Sequence, residues 1–487
     1  MMGRLLHAEW TKFRTVRGWV AGAFVVVLAT VGLGLLGHDS CGGPNGSGCT
    51  LPLGPGGEAV ADTFYFVHQP LRGNGTITVR VTSLAGTPSL QAWSKAGIIV
   101  KANTTQGSAY AAMLVTGGHG VRMQYDFVND VVGLAGLPSA GSPRWLRLTR
   151  AGDVVTGYNS ADGTHWTQVG TAMLSGLPAT AQIGLFAASP VYTVVTTGFG
   201  SETGHPVPTE AVATMDHVAL SGGQGSLAAS QVGGGQDDMY PSMPGSYRQA
   251  GGVSTVSGSG DIVPDVPGVG AGNGGDISQA LIGTFAGLIA AVVVATMFIT
   301  AEYRRGLIRV TFTASPWRGR ALLAKAGVIA AVTFVAGLVA AAIALPLGVR
   351  SMRSGGVFVD PVPALTMVRL IAGTGALLAV CAVLALAIGT MVRRSAIAVT
   401  LGVVLIAGPF ILSTLLISGV TQWLLRLTPA AGFAIQQAYP KYEQVTGSYA
   451  TMGYYPLSWW AGFAVLCAWT FALLTLAVFT VRRRDAA

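Results

Sequence analysis

Six stretches of this chain are almost wholly apolar, at residues 19–37, 281–301, 327–349, 370–392, 396–418 and 457–481. None contains an Asp, Glu, Lys, Arg or His. A helix needs roughly 20 apolar residues to cross a bilayer, so the pattern predicts six transmembrane helices. Between the first two the texture changes. Short β-branched and aromatic runs recur at 64–67, 76–81, 97–101, 109–115, 121–127, 145–149, 154–158, 183–187 and 213–220, broken by Gly, Asn and Pro. Strands at that spacing predict an all-β, jelly-roll-like sandwich over residues 62–222, inserted between helices 1 and 2. Asp162-Gly163 ahead of Trp166 is a hairpin-turn signal.

The connecting segments have patterns of their own. Over residues 3–17, Leu5, Leu6, Trp10, Phe13 and Val16 share one helical face while Arg4, Lys12 and Arg14 lie off it. Such a helix rests in the membrane interface. Glu9 falls inside the apolar arc, where it either pairs with Lys12 or points at a neighbouring cytoplasmic element. Residues 38–61 form an external loop, and 223–276 read as a Gly/Ser/Pro-rich tether with a candidate strand at 252–257. In the compact 302–325 segment, Ser315-Pro316 marks a helix start, with a short helix before it. Residues 419–456 mix Trp423, Leu424, Leu425 and Phe433 with Pro and Gly, the texture of a re-entrant loop.

Of the 487 residues, 51% are hydrophobic and 10% charged, an integral-membrane composition. Fifteen of the 29 Lys and Arg lie before the first span, between the second and third, between the fourth and fifth, or after the sixth. This bias places both termini in the cytoplasm and the sandwich outside. The net charge of +9 therefore reflects topology, and no nucleic-acid partner is expected. The first apolar run is longer than a signal-peptide core and lacks an A-x-A site, so it is expected to be retained. Cys381 and Cys467 lie inside spans as packing residues, whereas Cys41 and Cys49 flank an external loop where a disulfide is expected.

Several chemistries have no residues to carry them. The chain has no GxxxxGK[ST] phosphate loop, no HExxH, no GxSxG and no Cys/His spacing for a metal. No catalytic, cofactor-binding or metal-binding residue is identified. Spans without ionisable groups also exclude proton relays and ion-coupled carriers, so energy for any transport must come from outside the membrane. Asp126, Asp130, Asp153 and Asp162 read as turn and loop residues rather than a glycosidase pair. Aromatics of the β region fill its core or stack on sugar rings, with Tyr125, Tyr158 and Trp166 the candidate glycan contacts. Gly18 with Gly22 and Gly283 with Gly287 permit close helix contact within one chain or between two.

Two stretches carry a resemblance. Leu6-His7-Ala8-Glu9-Trp10-Thr11-Lys12-Phe13-Arg14-Thr15 resembles the interfacial helix of ABC-2-type transporter permeases. Glu302-Tyr303-Arg304-Arg305-Gly306-Leu307-Ile308-Arg309, then Ala314-Ser315-Pro316-Trp317-Arg318-Gly319-Arg320, resembles the loop after their second span. The resemblance covers residues 1–37 and 277–487. It implies a plasma-membrane exporter subunit of the bacterial type, paired with a second permease subunit as a homodimer or heterodimer. It also implies an ATP-binding cassette partner, which would hold the ATP and Mg. Glu302, Tyr303, Arg304, Arg305, Gly306, Arg309, Pro316 and Arg318 would then couple to that partner, while Glu9, Trp10, Lys12 and Phe13 belong to the interfacial helix.

The β region departs from that family, which usually has a short loop there. Residues 64–71, 93–100 and 160–166 resemble bacterial concanavalin-A/laminin-G-like sandwiches, domains that often bind carbohydrate. In those domains a strand similar to Ser257-Gly258-Ser259-Gly260-Asp261-Ile262 precedes the first of these segments. Here it follows, so residues 251–262 are expected to return and fill the first-strand position. The alternative reading is a membrane-anchored carbohydrate-binding or sensor protein whose working part is the sandwich.

Overall fold

The computed structural model describes residues 2–36, 51–198, 201–234, 243–266, 274–304, 306, 318–415, 419–445 and 455–483. Cys41 and Cys49, Arg305, Arg309, Pro316 and the short helix expected before Ser315 lie outside the described residues.

The apolar runs are helical. In chain order the helices are α1 (Met2–Thr15), α2 (Arg17–Leu36), α3 (Thr284–Arg304), α4 (Arg318–Ser354), α5 (Ala364–Val392), α6 (Ser395–Ile406), α7 (Gly408–Leu415), α8 (Gly419–Leu427) and α9 (Trp459–Arg483). Among the described residues, six segments are long and apolar enough to cross a membrane, with mean hydropathy of 2.2 to 2.7. The fifth runs Ser395–Ser413 through a break at Ala407 between α6 and α7. At 1.5 Å per residue, the 37-residue α4 is about 55 Å long. That exceeds the ~30 Å hydrocarbon core, so its charged residues sit near its two ends.

Backbone contact between helices depends on missing side chains. A Cβ on Gly283 would fall 1.9 Å from the Thr30 carbonyl oxygen of α2, and one on Gly287 would fall 1.9 Å from Thr30 Oγ1. This glycine pair is thus used within the chain. Residues 429–436 of the expected re-entrant stretch form a buried 3₁₀ turn inside the bundle. There Phe433 stacks on Phe285 at 4.4 Å, and Gln436 Nε2 donates to Thr284 Oγ1 and Thr374 Oγ1, both at 2.9 Å. These bonds satisfy a buried amide among apolar neighbours.

The inserted domain is a two-sheet sandwich. Its strands are β1 (Val60–Asp62), β2 (Phe64–Thr87), β3 (Lys95–Lys101), β4 (Tyr110–Thr116), β5 (Val121–Tyr125), β6 (Asn129–Val132), β7 (Arg144–Ala151), β8 (Val154–Ser160) and β9 (Thr167–Met173). They continue with β10 (Thr180–Ala188), β11 (Tyr192–Gly198), β12 (Ser201–Val207), β13 (Glu210–Gly223), β14 (Ala228–Val232), β15 (Ser246–Ala250), β16 (Val253–Gly258) and β17 (Ile262–Pro264). The 24-residue β2 belongs to both sheets. One runs β14-β2-β10-β3-β4-β5-β6 and the other β15-β16-β13-β2-β7-β8-β9, with Val67, Ile98, Met113, Leu146, Val155 and Ala213 among the side chains buried between them. Alternation of apolar and polar positions along β2 and β13 supplies the inward faces.

Three expectations need correction. The sandwich does not end at residue 222, because β14 to β17 occupy much of the stretch read as a tether. Residues 64–67 and 76–81 are one strand, which continues through Pro70, Gly73 and Gly75 because it finds partners on both edges. Strands β6, β9 and β12 carry no apolar run, so the hydrophobic pattern does not reveal them, and β9 is largely exposed; β11 does carry a β-branched and aromatic run, YTVVTT, and adds a strand to those expected. Within residues 251–262, β16 pairs with β13 at Val256↔Ala213, and β17 then closes on β1 at Val60↔Pro264.

Candidate functional site at the basic end of the helices

On α1 the spacing 9, 12, 13 puts Glu9, Lys12 and Phe13 on one face. Glu9 and Phe13 turn into the protein, while Trp10 stays 44% exposed, so the apolar arc is shared between the bundle and the outside. Phe13 meets Phe298 of α3 edge-on at 5.8 Å, and Trp19 meets the same ring at 5.6 Å. Glu302 lies one turn beyond Phe298, at the end of α3.

These residues surround Lys325, which is almost fully buried in the second turn of α4. Its Nζ donates to Glu9 Oε2 and to Glu302 Oε1, each at 2.6 Å, and lies 4.8 Å from the Phe298 ring centroid. Lys12 Nζ closes the group at 2.8 Å from Glu9 Oε1 and 3.3 Å from Glu302 Oε1. Two carboxylates and two ammonium groups thus form a neutral quartet, which offsets the cost of burying each charge. Burial lowers the Lys12 pKa, but the hydrogen bonds and charges of Glu9 and Glu302 outweigh it and leave the pKa raised.

The quartet answers both alternatives for Glu9, which pairs with Lys12 and also points at a neighbouring element. It turns Glu302 inward rather than toward a partner. The structure adds Lys325, which charge counting alone does not single out. The available signal is acid scarcity: in the short segments that carry the excess of Lys and Arg, the sequence offers only Glu9, Glu302 and Asp485 as acids.

Of the other residues expected to meet a partner, Tyr303, Arg304, Gly306 and Arg318 are among the described ones. Tyr303 packs beneath the Arg393 guanidinium at 5.1 Å, and Arg304 is exposed. Gly306 adopts φ +68° and donates its N–H to the Tyr303 carbonyl, ending α3 with a left-handed residue that favours glycine. Arg318 begins the described part of α4.

The three candidate glycan contacts do not form one platform. Tyr125 sits in β5 of the first sheet and packs against the sandwich core. Tyr158 is half-buried in β8 of the second sheet, opposite Arg147. The Arg147 guanidinium covers one face of Trp166 at 3.8 Å, and Trp166 Nε1 donates to the Gly163 carbonyl. The outer face of the first sheet is also occupied. Lys101 Nζ donates to Asp62 Oδ2 of β1 at 2.7 Å, and Lys95 pairs with Asp261 at 2.6 Å, both beneath the β1/β17 pair.

A further polar centre joins sandwich to helices. Asp360 Oδ1 accepts from the Ala59 N–H at 2.8 Å, and Oδ2 accepts from the Tyr439 hydroxyl. Asp265 is buried beside β17, and its Oδ1 has no hydrogen-bond partner. Burial, reinforced by the Asp360 charge, pushes the Asp265 carboxyl up to about 7, and burial also raises Asp360. Among the described residues no acidic, His or Cys cluster suited to a metal ion occurs.

The chain matches no protein-family model and no curated protein. Among solved structures it is similar to a functionally unknown protein from Saccharomyces cerevisiae, with 19% identity, TM-score 0.23, and coverage of 33% of this chain and 76% of that one. It is also similar to scytalido-glutamic peptidase bound to a transition state analog inhibitor, with 9% identity, TM-score 0.26, and coverage of 41% and 98%. A third is SCP-B, a member of the Eqolisin family of peptidases, at 8% identity, TM-score 0.22, and coverage of 40% and 98%. Likeness at this level carries no argument about activity.

Proposed function

We propose that this chain is the membrane subunit of an ATP-driven transporter of the ABC-2 permease type, working as an exporter. In this reading both termini are cytoplasmic, the sandwich is extracellular, and two six-span subunits form the pathway. A separate ATP-binding cassette subunit holds ATP and Mg. The observation that carries the reading is the quartet. Glu302 and Lys325 close the two ends of the 302–325 segment on each other, and Glu9 ties both to α1. A partner pushing on that segment therefore moves α1, α3 and α4 together, as coupling to an external motor requires. The occupied outer face of the first sheet weighs against a carbohydrate-binding protein.

The test is co-purification of the full chain from native membranes, followed by ATPase and transport assays in proteoliposomes. An ATP-binding subunit with a phosphate loop is expected to copurify. Arg304→Glu with Arg305→Glu is expected to uncouple ATP hydrolysis from transport in a complex that still assembles. Absence of any such subunit, or unchanged coupling in the variant, defeats the proposal.

A further inference from the structure

The basic ends of α3, α5 and α6 line a half-open cavity of about 680 Å³. Its lining includes Arg304, Arg393 and Arg394, with Tyr303 and Met297, and among the described residues contains no carboxylate. Among the described residues none of these three arginines forms an ion pair. Arg393 Nε is buried with no hydrogen-bond partner. Arg393 also holds φ +61° at the end of α5, a left-handed conformation that a bulky residue adopts only at a cost. That backbone turn brings Arg393 and Arg394 together at the cavity. Guanidinium groups around a cavity without a carboxylate select an anion with several acceptor oxygens.

The surface next to the cavity narrows the choice of anion. Ile289, Val293, Met297 and Arg304 fall on one face of α3 at helical spacing. Ile289 is 44% and Met297 41% exposed, with Val293 half-buried between them, so the stripe is apolar and open as far as Met297; the buried Thr300 then separates it from the arginine. From Ile289 to Met297 it runs about 12 Å, close to the ~15 Å thickness of one hydrocarbon leaflet. A soluble phosphate would use the arginines and leave this stripe bare.

We propose that the cavity binds the phosphodiester headgroup of an anionic phospholipid, whose acyl chains lie along the α3 stripe. The proposal requires the helices to span a membrane and does not require the transporter reading.

The experiment is native mass spectrometry of the full chain in detergent, titrated with dioleoylphosphatidylglycerol or dioleoylphosphatidylcholine. The anionic lipid is expected to be retained preferentially. Arg393→Gln with Arg394→Gln is expected to weaken that retention roughly 30-fold. Arg393→Lys with Arg394→Lys is expected to keep most of it, which separates lost charge from lost fold. Arg350→Gln with Arg353→Gln changes the net charge equally at the other end of α4 and is expected to have no effect. Equal retention of the two lipids, unchanged retention in the glutamine variant, or displacement by millimolar inorganic phosphate overturns the proposal. A glutamine variant that loses only a copurifying cassette subunit, with lipid retention intact, does so as well.

Discussion

The sandwich and the helical half solve one problem in two ways. Each must fix a distant piece of chain onto its scaffold, and each does so through buried charge. In the sandwich, β1 is held by a pair, Lys101 with Asp62, in which both side chains are fully buried. Burial pushes Asp62 up and Lys101 down, against the charge each takes from the other, and their retention rests on close geometry plus bonds from Lys101 to the Ser108 carbonyl and from the Gly107 N–H to Asp62. In the helical half, four groups share the work and Lys12 is 44% exposed. A closed pair has no substitute partner, whereas a shared group retains one. The first suits a fixed strand, and the second suits a joint that must keep its neutrality while helices shift.

The largest expected effect comes from breaking the closed pair. Lys101→Met leaves a buried Asp62 without its cation and should cost about 3–5 kcal/mol of sandwich stability, read from denaturant unfolding of the full chain in detergent. Adding Asp62→Leu should restore most of it; if the double variant is no better than the single one, the pair is not the cause. Lys325→Met should cost less, about 1–3 kcal/mol, because Lys12 remains near both carboxylates. Limited proteolysis should then release α1 before α3 or α4 is cut, and an α1 that stays protected would mean the quartet does not hold it.

Smaller again is the pH response of the junction, which loosens a contact between the halves and unfolds neither. A carboxyl whose folded pKa is raised binds its proton more tightly in the folded state. The Asp265 contribution is therefore complete below about pH 4, declines as pH rises, and is fully lost above about pH 7. Protection from hydrogen exchange at residues 59–62, taken relative to the unfolded chain, should fall over that window, and Asp265→Asn should reduce the fall, with the raised Asp360 carboxyl on Ala59 supplying the rest; an unchanged profile in the variant would contradict it. The smallest change is expected for Lys12→Ala. Half in solvent, it should cost only about 0.2–1 kcal/mol in thermal melts, and a loss rivalling that of Lys325→Met would erase the contrast between central and peripheral cations.

Much of the helical fold was legible because a soluble fold rarely keeps charge out of about 20 consecutive residues, whereas a bilayer core demands it. Core strands such as β3 and β4 were legible as apolar runs. Edge strands such as β9 were not, since an edge is held by backbone bonds that leave little trace in side-chain pattern. The continuity of β2 through Pro70 was hidden for the opposite reason: local turn signals yielded to pairing on both edges. Half of the quartet could be read on α1, where Glu9 and Lys12 are three residues apart. Lys325 reaches Glu9 across 316 positions, and no local periodicity encodes that meeting.

The closing pair β1–β17 has a consequence for how the two halves are joined. The chain enters the sandwich at Val60 and leaves it at Pro264, and these residues face one another across an antiparallel ladder. Paired Cα atoms in such a ladder lie about 5 Å apart, a gap that a tight turn spans. By chain path, everything between occupies the place of a hairpin loop. The sandwich is thus an insertion whose two ends come back together, and it touches the helical half through side contacts such as Gln444 Nε2 to the Phe127 carbonyl.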